Sequence, residues 1–113
     1  MITVTVVQDN SGLLKSCDVR GHAEAGKRGN DIVCAAVSVL TRTAQAVLSK
    51  KEGITIRSET PHRGVFTLEI VTQNSEKRDF LAAVGTFLVE GLHSVAIEYP
   101  ENCVMTTMKE RRN

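Results

Sequence analysis

Residues 2–8, ITVTVVQ, alternate between apolar and polar positions and are rich in β-branched side chains, which predicts a strand. Asp9-Asn10-Ser11-Gly12 is turn chemistry, because Asn and Gly accept positive φ. A second strand is predicted at about 13–21. Its alternation sets Cys17 and Val19 on one side and Asp18 and Arg20 on the other, so the two strands make a hairpin with one buried face. Residues 22–30, HAEAGKRGN, carry no period. From Asp31 the spacing turns helical, with Val33, Ala36, Val37, Leu40, Ala44 and Val47 on one stripe. Asp31 is a candidate N-cap, and the helix is expected to end near Lys50-Lys51, with Gly53 just beyond.

Two more strands are predicted at 54–58 and 65–72, with the turn Thr60-Pro61-His62-Arg63-Gly64 between them. A second helix starts near Asn74 or Ser75. Phe80, Val84, Phe87, Leu88, Leu92, Val95 and Tyr99 keep helical spacing, Gly85 and Gly91 leave room for a break, and Pro100 stops the helix. A last strand is predicted over 103–108. The order ββαββαβ implies an α+β fold, a mostly antiparallel sheet with two packed helices. Strand order is not readable from the pattern. At 113 residues the chain is expected to form a single domain, 1–113, able to bury a core without disulfides.

Composition narrows the function classes. A net charge of +1 is too balanced for a dedicated nucleic-acid binder, and 4% aromatic residues without Trp argue against a base-stacking platform, so no direct nucleic-acid contact is expected. Lys109, Arg111 and Arg112 read as a solvated basic tail. The three cysteines match no zinc spacing, and no metal or cofactor is expected. Reduced thiols fit a cytosolic setting. The start MITVTVVQ lacks a basic n-region, and no run reaches about 18 apolar residues, so a soluble cytoplasmic protein without a membrane partner is expected.

The informative segment is 21–38, GHAEAGKRGNDIVCAAVS. His22 sits at a strand end, a glycine-bearing loop follows, and Cys34 falls at a helix start. With Asp31 as N-cap, Cys34 is N3. Unpaired first-turn N–H groups and the positive helix end favour a thiolate there. A nearby imidazole can take the thiol proton and later give one to a leaving amine. The layout suits acyl transfer. A carboxylate on Asp31 would raise the thiol pKa, so Asp31 is left two jobs, capping the helix or orienting His22. Cys34, Ser38, Thr41 and Gln45 form a second, more polar stripe. Ser38 either supports a site or merely bonds the carbonyl of residue 34. Free cysteines are often small core residues, which is the alternative reading for Cys34, between Val33 and Ala35, the reading for Cys17 and one of two for Cys103, the other being an incidental surface thiol. His62 reads as solvent-exposed and His93 as surface or partner-facing. Gly26 and Gly29 make the loop 23–30 an expected mobile segment that closes on substrate.

The run Gly21-His22-Ala23, then Gly26 and Gly29, then Asp31-Ile32-Val33-Cys34-Ala35-Ala36 and Ser38 resembles the ribosomal-processing cysteine protease family, Prp. Weaker similarity runs the full chain, from the MITV start to Tyr99-Pro100-Glu101-Asn102. The resemblance implies a His22–Cys34 catalytic dyad with Ser38 in support, and leaves Asp31, a motif position, its two possible jobs beside the site. It implies a substrate in the N-terminal extension of a large-subunit ribosomal protein, number twenty-seven in the usual naming, cut after a short apolar segment ending in Phe. It also implies a homodimer. A non-enzymatic ribosome-assembly module that docks on a ribosomal protein tail would share the same groove. A thiol redox role is weaker, since Cys34 has no C-x-x-C partner.

Overall fold

The computed structural model describes residues 1–21 and 28–110, with the side chains of 28–31 left aside. Five strands and two helices follow the predicted order: β1 (Ile2–Gln8), β2 (Leu14–Arg20), α1 (Arg28–Ser49), β3 (Ile54–Glu59), β4 (Val65–Gln73), α2 (Arg78–Glu98) and β5 (Cys103–Lys109). The sheet runs β3-β4-β2-β1-β5. Three pairings are antiparallel, and β1 pairs with β5 in parallel, an arrangement that requires a long crossover such as the one from β1 through the rest of the chain.

The first turn forms as its residues dictate. Asp9 Oδ1 accepts from the Ser11 N–H at 2.8 Å, the Ser11 hydroxyl at 2.6 Å and the Leu13 N–H at 2.9 Å, and Gly12 takes φ +91°. The Ser11 hydroxyl, first among several contacts, holds the Asp9 carboxyl below its ordinary value. One face of the sheet is the core: Ile2, Val4 and Val6, Cys17 and Val19, Leu68 and Ile70, and Cys103 are all buried. The other face carries the Arg57–Glu69 pair, 2.7 Å apart, and the Arg20–Asp18 pair at 2.9 Å.

Both helices pack on the core, although each is long and apolar enough to cross a membrane by length and composition. The buried stripe of α1 is Val33, Val37, Thr41, Ala44 and Leu48. It is rotated from the predicted one, so Val47 is exposed and Thr41 goes inside. Thr41 tolerates burial because its hydroxyl donates to the Val37 carbonyl at 2.9 Å. On α2 the buried residues are Leu81, Gly85, Leu88 and Leu92, while Phe87 is exposed. The helix does not break at Gly91. A Cβ there would lie 2.7 Å from Leu40 Cδ2, so this glycine lets α2 approach α1. A short 3₁₀ turn at Ser75–Lys77, capped by the Asn74 side chain, precedes α2.

Helix α1 begins at Arg28 and not after Asp31. Gly29 and Asn30, which look like loop residues, extend the helix by a turn. Elongating an existing helix fixes one residue per added bond, and the roughly 1 kcal/mol penalty of Gly against Ala does not stop it. Two expectations are thereby corrected. Asp31 is the fourth helical residue, so it is not the N-cap. Gly29 is not in a loop. Gly26 and the rest of the predicted mobile segment up to residue 27 lie outside the described residues.

Candidate active site

β2 pairs with β4 so that Val19 faces Phe66 and Arg20 faces Val65. This sets the β3–β4 turn beside the end of β2, and the Gly21 N–H donates to the Gly64 carbonyl at 2.9 Å. Gly21 has φ +108°, and a Cβ there would run into the Met1 carbonyl. Only glycine serves at this point, where the chain leaves β2.

A cleft of about 600 Å³ opens between this end of the sheet and the first half of α1. Its apolar floor is Ile2, Val19, Val65 and Phe66, with Val37 from the helix. Cys34, Ser38, Thr41 and Arg42 line it from α1, and His62, Arg63 and Gly64 line it from the turn. Cys34 and Ser38 are therefore brought together, one helical turn apart. The Ser38 hydroxyl makes no hydrogen bond to a described residue, so it does not bond back to the carbonyl of residue 34. His22 lies outside the described residues. Its chain neighbour Gly21 lines the cleft.

The three cysteines differ sharply. Cys17 and Cys103 are core residues, with 0% and 2% of their surface exposed. Burial, then the nearby negative charge of Asp18, pushes the Cys17 thiol up to about 12, and burial pushes Cys103 up as well. A thiol held in its neutral form is a poor nucleophile. Cys34 is half-buried and lines the cleft. The helix start corrects one argument for its activation. Cys34 is the seventh residue of α1, not the third, and its N–H falls within the i→i−4 ladder. The unpaired N–H groups belong to residues a turn earlier, and the dipole effect fades within that first turn.

Sequence reasoning placed His62 in solvent, and it is exposed; it missed that His62 and Arg63 wall the same cleft as Cys34. No local signal marks this, because only the β2–β4 pairing brings the turn to the helix. His93 is exposed, as expected. Among the described residues no three His, Cys, Asp or Glu side chains gather closely enough to hold a metal ion.

A half-buried cysteine at the edge of a cleft is the layout that a thiol-dependent hydrolase requires. The comparisons with known proteins make it specific. The family model described as cysteine protease Prp matches residues 1–104. The ribosomal processing cysteine protease Prp of Staphylococcus aureus is 33% identical over 109 residues, covering 90% of this chain and 94% of that protein. The chain belongs to the ribosomal-processing cysteine protease family Prp, and it is a cysteine protease. Solved structures share the fold. The crystal structure of SMU.848 from Streptococcus mutans superposes with a TM-score of 0.83 at 25% identity, covering 97% of this chain and 96% of that one. A structure of the S. aureus protease in complex with a substrate peptide gives 0.77 at 22% identity, covering 95% and 99%.

Proposed function

We propose that this protease removes the N-terminal extension of large-subunit ribosomal protein twenty-seven, with Cys34 as nucleophile and His22 as its proton-transfer partner. The observation that carries this reading is the contrast among the thiols. Cys34 lines the cleft, while Cys17 and Cys103 are sealed in the core. The Cys34 sulfur attacks the scissile carbonyl carbon as its proton passes to the imidazole. The C–N bond breaks, and the imidazole proton goes to the leaving amine. Water then attacks the thioester, the C–S bond breaks, and the N-side product leaves as a carboxylate while the thiol is restored. The apolar floor of Ile2, Val19, Val65 and Phe66 supports a substrate segment that is apolar and ends in Phe.

Asp31 and Ser38 support the site. Since Asp31 is not the cap, its remaining job is to orient His22, and Asp31→Asn is expected to lower turnover with little change in melting temperature. Ser38 lines the cleft one helical turn from Cys34 with a hydroxyl free of described partners, which supports a role as a donor to substrate or to the sulfur. The protein works in the cytoplasm as a homodimer. Support for self-association comes from a continuous apolar surface on α1 and α2, where Val39, Val47 and Phe87 are exposed around a groove between the helices.

The test is to mix the purified protein with the precursor and read product masses. The reading expects one cut directly after the apolar segment and none with Cys34→Ala. Stable binding of the precursor without any cut by the wild-type protein would favour the docking-module alternative.

A further inference from the structure

The β3–β4 turn and the second turn of α1 past Cys34 give the cleft a charged edge that the reaction above does not use. Five arginine side chains are described: Arg20, Arg42, Arg57, Arg63 and Arg78. Three have partners. Arg20 pairs with Asp18, Arg57 with Glu69, and Arg78 donates to the Ser11 hydroxyl at 2.6 Å. The two with no partner among the described residues, Arg42 and Arg63, both line the Cys34 cleft, on opposite walls. His62 stands beside Arg63, and no described carboxylate lines the cleft. The remaining lining is largely apolar, while Arg42 and Arg63 are themselves exposed.

We propose that Arg42 and Arg63 form a carboxylate-binding edge to the substrate cleft. The guanidinium is the group best suited to this, since its planar fork matches a carboxylate. Arg42 is eight residues beyond Cys34, about 12 Å along the helix axis. At Arg42 the carboxylate site therefore lies along the cleft from the sulfur and not on it, so it acts on substrate binding, not on the bond being cut. The carboxylate is then that of an acidic side chain in the substrate, because the new C-terminus forms at the carbon bonded to the Cys34 sulfur. This inference rests on the reading of the cleft as the peptide site.

Three peptides test it on the Cys34→Ala protein, which cannot turn them over. One is an apolar peptide ending in Phe with a free carboxylate. The second is the same peptide as its C-terminal amide, and the third is that amide with one Glu introduced. A carboxylate held by two exposed arginines is expected to bind roughly five- to tenfold more tightly than the plain amide at low salt, with the advantage shrinking as salt rises. A tighter Glu peptide supports the edge, and an advantage confined to the free acid overturns it, because that carboxylate belongs at the sulfur. The advantage is expected to vanish when Arg42→Gln and Arg63→Gln are added together, and Arg63→Lys alone is expected to keep part of it. Equal affinity for all three peptides, or an advantage that survives both Gln changes, overturns the inference. If that happens while the wild-type protein still cleaves its precursor, only the carboxylate edge falls. If no peptide binds and no precursor is cut, the peptide-cleft reading falls with it.

Discussion

Cys17 sits on β2 between the inner faces of β1 and β4, paired in register with Val6 and Leu68. Its thiol is fully buried and pushed up to about 12, mostly by loss of water and secondarily by Asp18. Such a group stays protonated in the fold where the unfolded chain would ionise. The folded value is raised, so the folded state binds the extra proton. Its stability is full below the ordinary thiol value near 9 and falls as pH rises from there toward 12. The slope is about 1.4 kcal/mol per pH unit for one thiol. Cys17→Ala removes that term but opens a small cavity. The gap in stability between wild type and variant is therefore expected to narrow as pH is raised from 9 to 11 in denaturant melts. A gap that stays constant would show that Cys17 ionises as freely in the fold as in the open chain.

Helix α2 owes its position to glycines that the helical spacing reads as weaknesses. Gly91 admits the Leu40 side chain, and a Cβ at Gly85 would lie 3.1 Å from Leu14 Cβ. A Val at 91 is expected to cost about 1–3 kcal/mol by overpacking. In the double variant with Leu40→Ala, the total loss should be less than the sum of the single losses, because the clash is relieved. Additive losses in a thermal melt would mean that Gly91 matters for another reason. The same scale shows what the pattern of residues could reveal. The alternation in ITVTVVQ, the Asp9–Gly12 turn and the stop at Pro100 are local, and each appears where expected. The start of α1 was misread because Gly29-Asn30 carries turn chemistry, while the helix that follows is strong enough to recruit it. Phe87 has helical spacing yet faces outward, since periodicity marks an apolar residue without saying which partner covers it. The run that holds Cys34 and Ser38 was legible in the sequence, and both residues line one cleft. The walls contributed by His62, Arg63 and Phe66 were not, because they depend on β2 choosing β4 as its neighbour.

At the scale of the whole molecule, the sheet order puts the cleft and the exposed helical face at different places. The cleft lies between the first half of α1 and the ends of β2 and β4, and the apolar surface lies between α1 and α2. Helix α1 contributes to both. Phe87 is 73% exposed, a large apolar surface for an isolated protomer to leave in water. Phe87→Arg is expected to turn a dimer into a monomer by sedimentation velocity at micromolar concentration. An unchanged sedimentation coefficient, whether dimer or monomer in both proteins, would remove this face from the account.

The claim on which the rest depends is that the Cys34 sulfur forms the covalent bond to substrate. Intact-mass measurement of the protein, quenched in acid during turnover of a slowly hydrolysed ester of the apolar peptide, reads that bond directly. The account predicts an adduct of the acyl-peptide mass, mapped after digestion to the segment holding Cys34 and absent from Cys34→Ala, while Cys17 and Cys103 stay unmodified. An adduct on another residue, or undiminished cleavage by Cys34→Ala, would contradict it.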